Sequence, residues 1–168
     1  MTISIRIDRL TNSIVEVATD RKLDTEVERV TREHIPLLTR KGWRFKWDQE
    51  RMTRGREVFM LTTSVPAVIH GLISLEDRKD HIYVSLVESA DFNLGKGKLY
   101  EGVAGNLFAF ACKRSFEAGY EGLIAMVPKT QLREHYARTL GARSITGRIM
   151  IIDGKEALAL TEHYFRKP

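Results

Sequence analysis

The 168-residue chain holds a single cysteine, four prolines and no apolar run near the length a membrane-crossing helix requires. The lone Cys112 excludes an internal disulfide and offers no metal-ligand spacing, so no metal is expected. Internal repeats, low-complexity tracts and long Pro/Gly/Ser linkers are also missing, which points to one domain across residues 1–168. The N-terminus alternates Ile3, Ile5 and Ile7 with Ser4, Arg6 and Asp8, and lacks the basic, apolar and small-residue regions of a signal peptide. A reducing cytoplasm is the expected location, with no membrane partner.

What is present is globular in composition, 43% hydrophobic and 29% charged. The length suffices to bury a substantial core. A net charge of +5 and a pI near 9.4 make the surface basic, with local clusters at Arg51–Arg56 and Lys96–Lys98. That balance is compatible with nucleic acid, an anionic cofactor or an acidic acceptor without choosing among them, and ordinary solvated surface charge is the favoured reading.

Periodicity supplies the elements. Strand alternation runs through Ile7 and again over Ile14, Val15 and Val17. Val27, Val30, His34, Ile35 and Leu38 recur at helical spacing and predict a helix from Thr25 to about Thr39, kinked or split by Pro36. Trp43, Phe45 and Trp47 alternate with Arg44, Lys46 and Asp48 and predict a strand. Three closely spaced strands, Val58–Thr63, Val68–Glu76 and Ile82–Glu88, argue an antiparallel meander. Beyond them an apolar helix runs from Val103 to Ala118 and stops at Gly119. Leu123–Val127 reads as a strand buried on both faces, followed by a helix from Gln131 to Leu140. A hairpin of Ser144–Thr146 with Arg148–Ile152 and a helix from Lys155 to Tyr164 close the chain. The pattern is a mixed α/β sheet with helices packed on it.

Chemistry concentrates where a strand ends near Ser89 and a glycine-containing loop enters the helix at Gly102-Val103-Ala104-Gly105-Asn106-Leu107. A helix start exposes unpaired N–H groups at the positive end of its dipole, which suits a phosphate or pyrophosphate. Tight helix–strand packing accounts for the same glycines. A dinucleotide or P-loop fold is disfavoured, because the preceding strands form a meander and no Gly-Lys-Ser/Thr follows.

These residues resemble the GNAT acetyltransferase superfamily, whose acyl-CoA motif reads Gln/Arg-x-x-Gly-x-Gly/Ala. Gly102 and Ala104 stand at the two small positions and Leu107 at the apolar one, whereas Leu99 stands where the family prefers Gln or Arg. Lys98 and Lys96 lie close enough to replace that cation. Downstream, the family's Asn-x-x-Ala-x-x-Leu-Tyr-x-x-x-Gly-Phe helix is similar to Lys129 through Ala142, with Tyr136 in the tyrosine register and Lys129 in place of Asn. The resemblance covers about residues 57–152.

It implies an α/β (α+β) GNAT-like domain: a mostly antiparallel mixed sheet flanked by helices, with a splayed strand pair binding acyl-CoA. It also implies an acetyl-CoA-dependent N-acetyltransferase that passes the acetyl group directly to a primary amine in a ternary complex. Gly102, Val103, Ala104, Gly105, Asn106, Leu107, Lys98 and Lys129 would bind the cofactor, and Tyr136 would act as general acid. The base best placed by sequence is Glu88, near the end of the strand leading into the loop. His70 is the alternative, with Glu76 and His135 behind it. Trp43, Phe45 and Trp47 read as core or as an acceptor pocket, Cys112 as a buried thiol and Ser115 as a packing residue. The acceptor is open: a small molecule, or a peptide- or RNA-linked amine. Nucleic acid is compatible but not required, as is a homodimer. The other classes in view are a catalytically degenerate CoA-binding module and a basic nucleic-acid-binding domain.

Overall fold

The computed structural model describes residues 8–39, 42–64 and 67–165. The strand expected through Ile7 lies outside them. Nine strands form one sheet among the described residues: β1 (Asp8–Glu16), β2 (Lys22–Arg29), β3 (Arg56–Ser64), β4 (Ala67–Asp77), β5 (Ile82–Ser89), β6 (Tyr100–Glu101), β7 (Ile124–Met126), β8 (Arg143–Thr146) and β9 (Ile149–Ile152). Their spatial order is β6-β1-β2-β3-β4-β5-β7-β9-β8. The first five make an antiparallel meander, β7 joins β5 in parallel, and β9 and β8 add antiparallel strands beyond it. This is a mixed, mostly antiparallel sheet, as the sequence pattern implied.

Helices cover both faces. On one, α3 (Val103–Glu117) and α5 (Gly154–Tyr164) pack with α4 (Arg133–Leu140) over a core of Leu61, Ile73, Val84, Leu107, Phe108, Phe110, Ile124 and Ile152. The helix α3 is buried nearly all round its axis, which explains why its apolar residues show little sidedness. On the other face, α1 (Ile35–Leu38) and α2 (Trp47–Met52) cover a smaller cluster of Val30, Leu38, Trp47, Val58, Met60 and Leu72.

Two expectations are corrected. The segment Lys22–Arg29 is strand β2 and not the start of a helix. Its burial alternates, with Thr25 and Val27 inward, and it has ladder partners on both sides in β1 and β3. Two-sided pairing of β-branched residues outweighs a helical spacing read from Val27 and Val30. Helical structure begins only with a 3₁₀ turn at Arg32–His34 and then α1, with Pro36 in its first turn, where its missing N–H costs nothing. The aromatic segment is likewise not a strand, since Trp47 opens α2. The Arg44 and Phe45 amides bond to the Glu88 carboxylate instead of a sheet neighbour.

Two irregularities shape the sheet. Between β4 and β5 the register shifts so that Ser74 faces Leu86 while Leu75 faces Val84, leaving Ser85 as the extra residue. Between β3 and β4 the same happens at His70. Beside it, Gly71 has no side chain because a Cβ there would lie 2.7 Å from Val103 Cγ1 and 3.0 Å from Leu107 Cδ1. That absence lets the first turn of α3 press onto the sheet.

Candidate active site

The strands β5 and β7 pair only over Ile82↔Ile124, Tyr83↔Ala125 and Val84↔Met126. Past that point β5 continues to Ser89, while β7 ends and the chain turns away at Pro128. The Ser85 bulge falls where the pair parts, and bulges increase local twist. A cavity of about 440 Å³ occupies the gap. Val103, Ala104, Phe108, Leu132 and Tyr136 line it from the α3/α4 side, and Arg44, Phe45, Leu86 and Glu88 from the α2 side. It therefore passes from one face of the sheet toward the other.

The glycine-to-helix corner expected to hold the cofactor divides in two. Gly102, at φ 98°, caps α3, and Gly102, Val103 and Ala104 line the cavity. A Cβ on Gly102 would sit 3.0 Å from the Ser13 carbonyl. The first intrahelical bond here runs from the Asn106 N–H to the Gly102 carbonyl, 3.1 Å, so the amides of Val103, Ala104 and Gly105 precede it. The other side chains do different work. Gly105 leaves room for the Tyr164 hydroxyl, which a Cβ would approach to 2.8 Å. Asn106 is fully buried and donates to the Ser13 and Gly102 carbonyls, both at 2.6 Å, tying the helix start to β1. Leu107 is fully buried in the core.

Both lysines, Lys98 and Lys129, line the cavity, Lys98 with Glu101 3.5 Å away. Leu99 is exposed and fixed through its backbone, to Val17 and Phe92. Lys96 is exposed outside the lining. Tyr136 is 8% exposed, its ring edge-on to Phe108 at 5.1 Å, and burial raises its pKa.

Glu88, 8% exposed, has three donors on its two oxygens: the Arg44 N–H at 2.7 Å, the Phe45 N–H at 3.2 Å and the Trp47 indole N–H at 2.8 Å. A second buried carboxylate, Glu50 of α2, reaches back to the sheet and accepts from Ser74 at 2.8 Å, Ser85 at 2.9 Å and Arg56 at 3.1 Å. Sequence reasoning missed Glu50, because Trp43, Phe45 and Trp47 read as a strand and no helix was expected over Trp47–Met52.

His70 lies outside the lining and is 1% exposed. Its Nδ1 accepts from Asn93 Nδ2 at 3.1 Å, which leaves the proton on Nε2 to donate to Thr63 Oγ1 at 3.1 Å. Burial pushes its pKa from 6.5 down to about 4. The rings of Phe92 and Tyr100 stand edge-on to it, and its carbonyl accepts the Ala90 N–H. The imidazole thus anchors the loop that leads to Gly102. His135 is exposed at the cavity rim, and Glu76 is engaged with Arg56 and Arg78. Of the aromatic triplet, Trp47 is core, Phe45 lines the cavity and Trp43 packs partly buried on the α2-side cluster. Cys112 is buried, its thiol pushed up to about 12, and Ser115 donates to the Leu123 carbonyl at 2.8 Å. No described helix is long and apolar enough to cross a membrane.

No protein-family model matches the sequence, and no curated protein matches it. Solved structures do match in fold. The structure of AtaTR bound with acetyl-CoA aligns over 81% of this chain and 97% of its own at 11% identity, with a TM-score of 0.57. Mutant forms of the spermidine/spermine N-acetyltransferase SpeG from Vibrio cholerae align over 80% and 98% at 16% identity, TM-score 0.55. The IAA acetyltransferase from Bacillus cereus aligns over 76% and 95% at 14% identity, TM-score 0.53. The chain has the fold of the GNAT acetyltransferases.

Proposed function

We propose that the protein is an acetyl-CoA-dependent N-acetyltransferase that moves the acetyl group directly to a primary amine. One observation carries the reading: the cavity follows the parting of β5 and β7, with the first amides of α3 on one side and a buried tyrosine beside it. The donor fits this corner. Amides at the N-terminus of α3 suit the diphosphate, and Lys98 and Lys129 add positive charge. Lys98 stands in for the cation absent at Leu99, which favours a working donor site over a degenerate one.

The amine nitrogen attacks the thioester carbonyl carbon, the C–N bond forms, and the C–S bond breaks as the amine loses a proton and the sulfur gains one. Amides of β5 beyond Val84 on the side of the gap have no strand to pair with among the described residues and suit the developing oxyanion. Tyr136, whose hydroxyl makes no hydrogen bond to another described residue, is the proposed acid for the thiolate. A raised pKa keeps it protonated at neutral pH. Glu88, holding three donors, is assigned to positioning the 44–47 segment, so proton removal from the amine falls to solvent or to another group.

The test is thiol release from acetyl-CoA with an amine panel, beside calorimetric titration of the donor. Tyr136→Phe should lower turnover on the order of 10²-fold while donor affinity holds. Equal turnover in the two proteins would remove Tyr136 as the acid, and failure to bind acetyl-CoA would remove the function.

A further inference from the structure

We infer that the acceptor amine also carries an anionic group, a carboxylate or a phosphate, and that Arg44 is the residue that reads it; this rests on the acyltransferase reading above. The cavity has two ends. The donor corner belongs to the α3/α4 side, which leaves the α2 side, with Arg44, Phe45, Glu88 and the neighbouring Asn93, for the acceptor.

Two carboxylates are found among the described residues lining the cavity, Glu88 and Glu101. Glu88 already receives three N–H groups, and Glu101 has the Lys98 ammonium 3.5 Å away. Three N–H donors take up most of the accepting capacity of the two Glu88 oxygens, and Glu101 stands beside Lys98 at the donor corner, so the α2 side offers few free oxygens to a second ammonium. The positive side is different. The main-chain N–H of Arg44 is what binds Glu88, and its guanidinium makes no ion pair to a described residue. A planar guanidinium fork matches carboxylate and phosphate oxygens in pairs. Asn93, 7% exposed, lines the same region. Fixing Glu88 on the backbone of residues 44 and 45 also fixes where the Arg44 side chain departs.

The experiment measures kcat/KM by thiol release for size-matched amines: β-alanine for carboxylate, O-phosphoethanolamine for phosphate, ethanolamine as the neutral control and 1,3-diaminopropane as the dication. The anionic amines should exceed the neutral and dicationic ones by about tenfold or more, and their order identifies the anion. In Arg44→Gln that preference should disappear through a higher KM for the anionic amine, with acetyl-CoA affinity by calorimetry unchanged. Arg44 is exposed, and a thermal melt confirms that the variant folds. Preference for the diamine, or an unchanged ranking in Arg44→Gln, overturns the inference while leaving the acyltransferase standing. Loss of acetyl-CoA binding by the unmodified protein overturns both.

Discussion

On one face of the sheet α3 buries nine of its 15 residues, almost all apolar, and meets the strands through the space left at Gly71. On the other face α2 buries two of its six, and one of the two is the carboxylate of Glu50. The first contact is apolar close packing, non-directional and spread over many residues. The second is a reciprocal clasp: Glu88 leaves the sheet to hold residues 44, 45 and 47, and Glu50 leaves the helix to hold Ser74 and Ser85. A six-residue helix has too few side chains to anchor itself by burial, and short helices are marginal without tertiary support. Directional bonds to buried charge replace area there, and the Ser85 hydroxyl joins the clasp at the bulge where β5 and β7 part.

The largest effect expected from this contrast comes from Glu88→Ala. It strands two part-buried backbone N–H groups and a buried indole N–H, at about 3–5 kcal/mol by urea denaturation. A loss under about 1 kcal/mol would mean that the α2 face is held by packing after all.

On the opposite face, Gly71→Ala should destabilise by about 1–3 kcal/mol, because the new methyl meets Val103, Leu107 and the Glu88 carbonyl together. Chemical denaturation measures it, and a neutral result would show that the start of α3 can withdraw from the sheet.

The last effect is a pH dependence, felt only below pH 6.5. His70 is held neutral in the fold, with its pKa lowered to about 4 against 6.5 when free, so the unfolded chain binds the extra proton first. Its contribution is complete above pH 6.5 and declines as pH falls toward 4, by at most about 1.4 kcal/mol per pH unit. His70→Gln should flatten that part of the stability–pH curve. An unchanged slope would place the acid sensitivity in other groups.

The chain from β3 onward was far more legible than the part before it, the three strands of the meander included. Val103–Ala118, Leu123–Val127 and the closing hairpin and helix correspond to α3, β7, β8, β9 and α5, because burial on nearly all sides and glycine stops leave direct marks in sequence. Residues 25–47 misled because their conformation is imposed by partners distant in sequence. The pairing of β2 with β3 spans dozens of residues, and Trp47 answers to Glu88 across 41 positions. The short β6 inside the loop before Gly102 left no signal, since two residues are too few for any period.

Of the candidate site, the sequence by itself determined the glycine start of α3, because local spacing sets what a helix terminus exposes, whereas Tyr136 and the lysines were singled out only through the resemblance to the GNAT motifs. Only the tertiary structure decided that Gly105, Asn106 and Leu107 turn away from the cavity, that Glu88 is occupied, and that Arg44 comes to the rim. Those outcomes depend on which donors meet a buried carboxylate and on where two strands stop pairing, and neither is encoded within one segment.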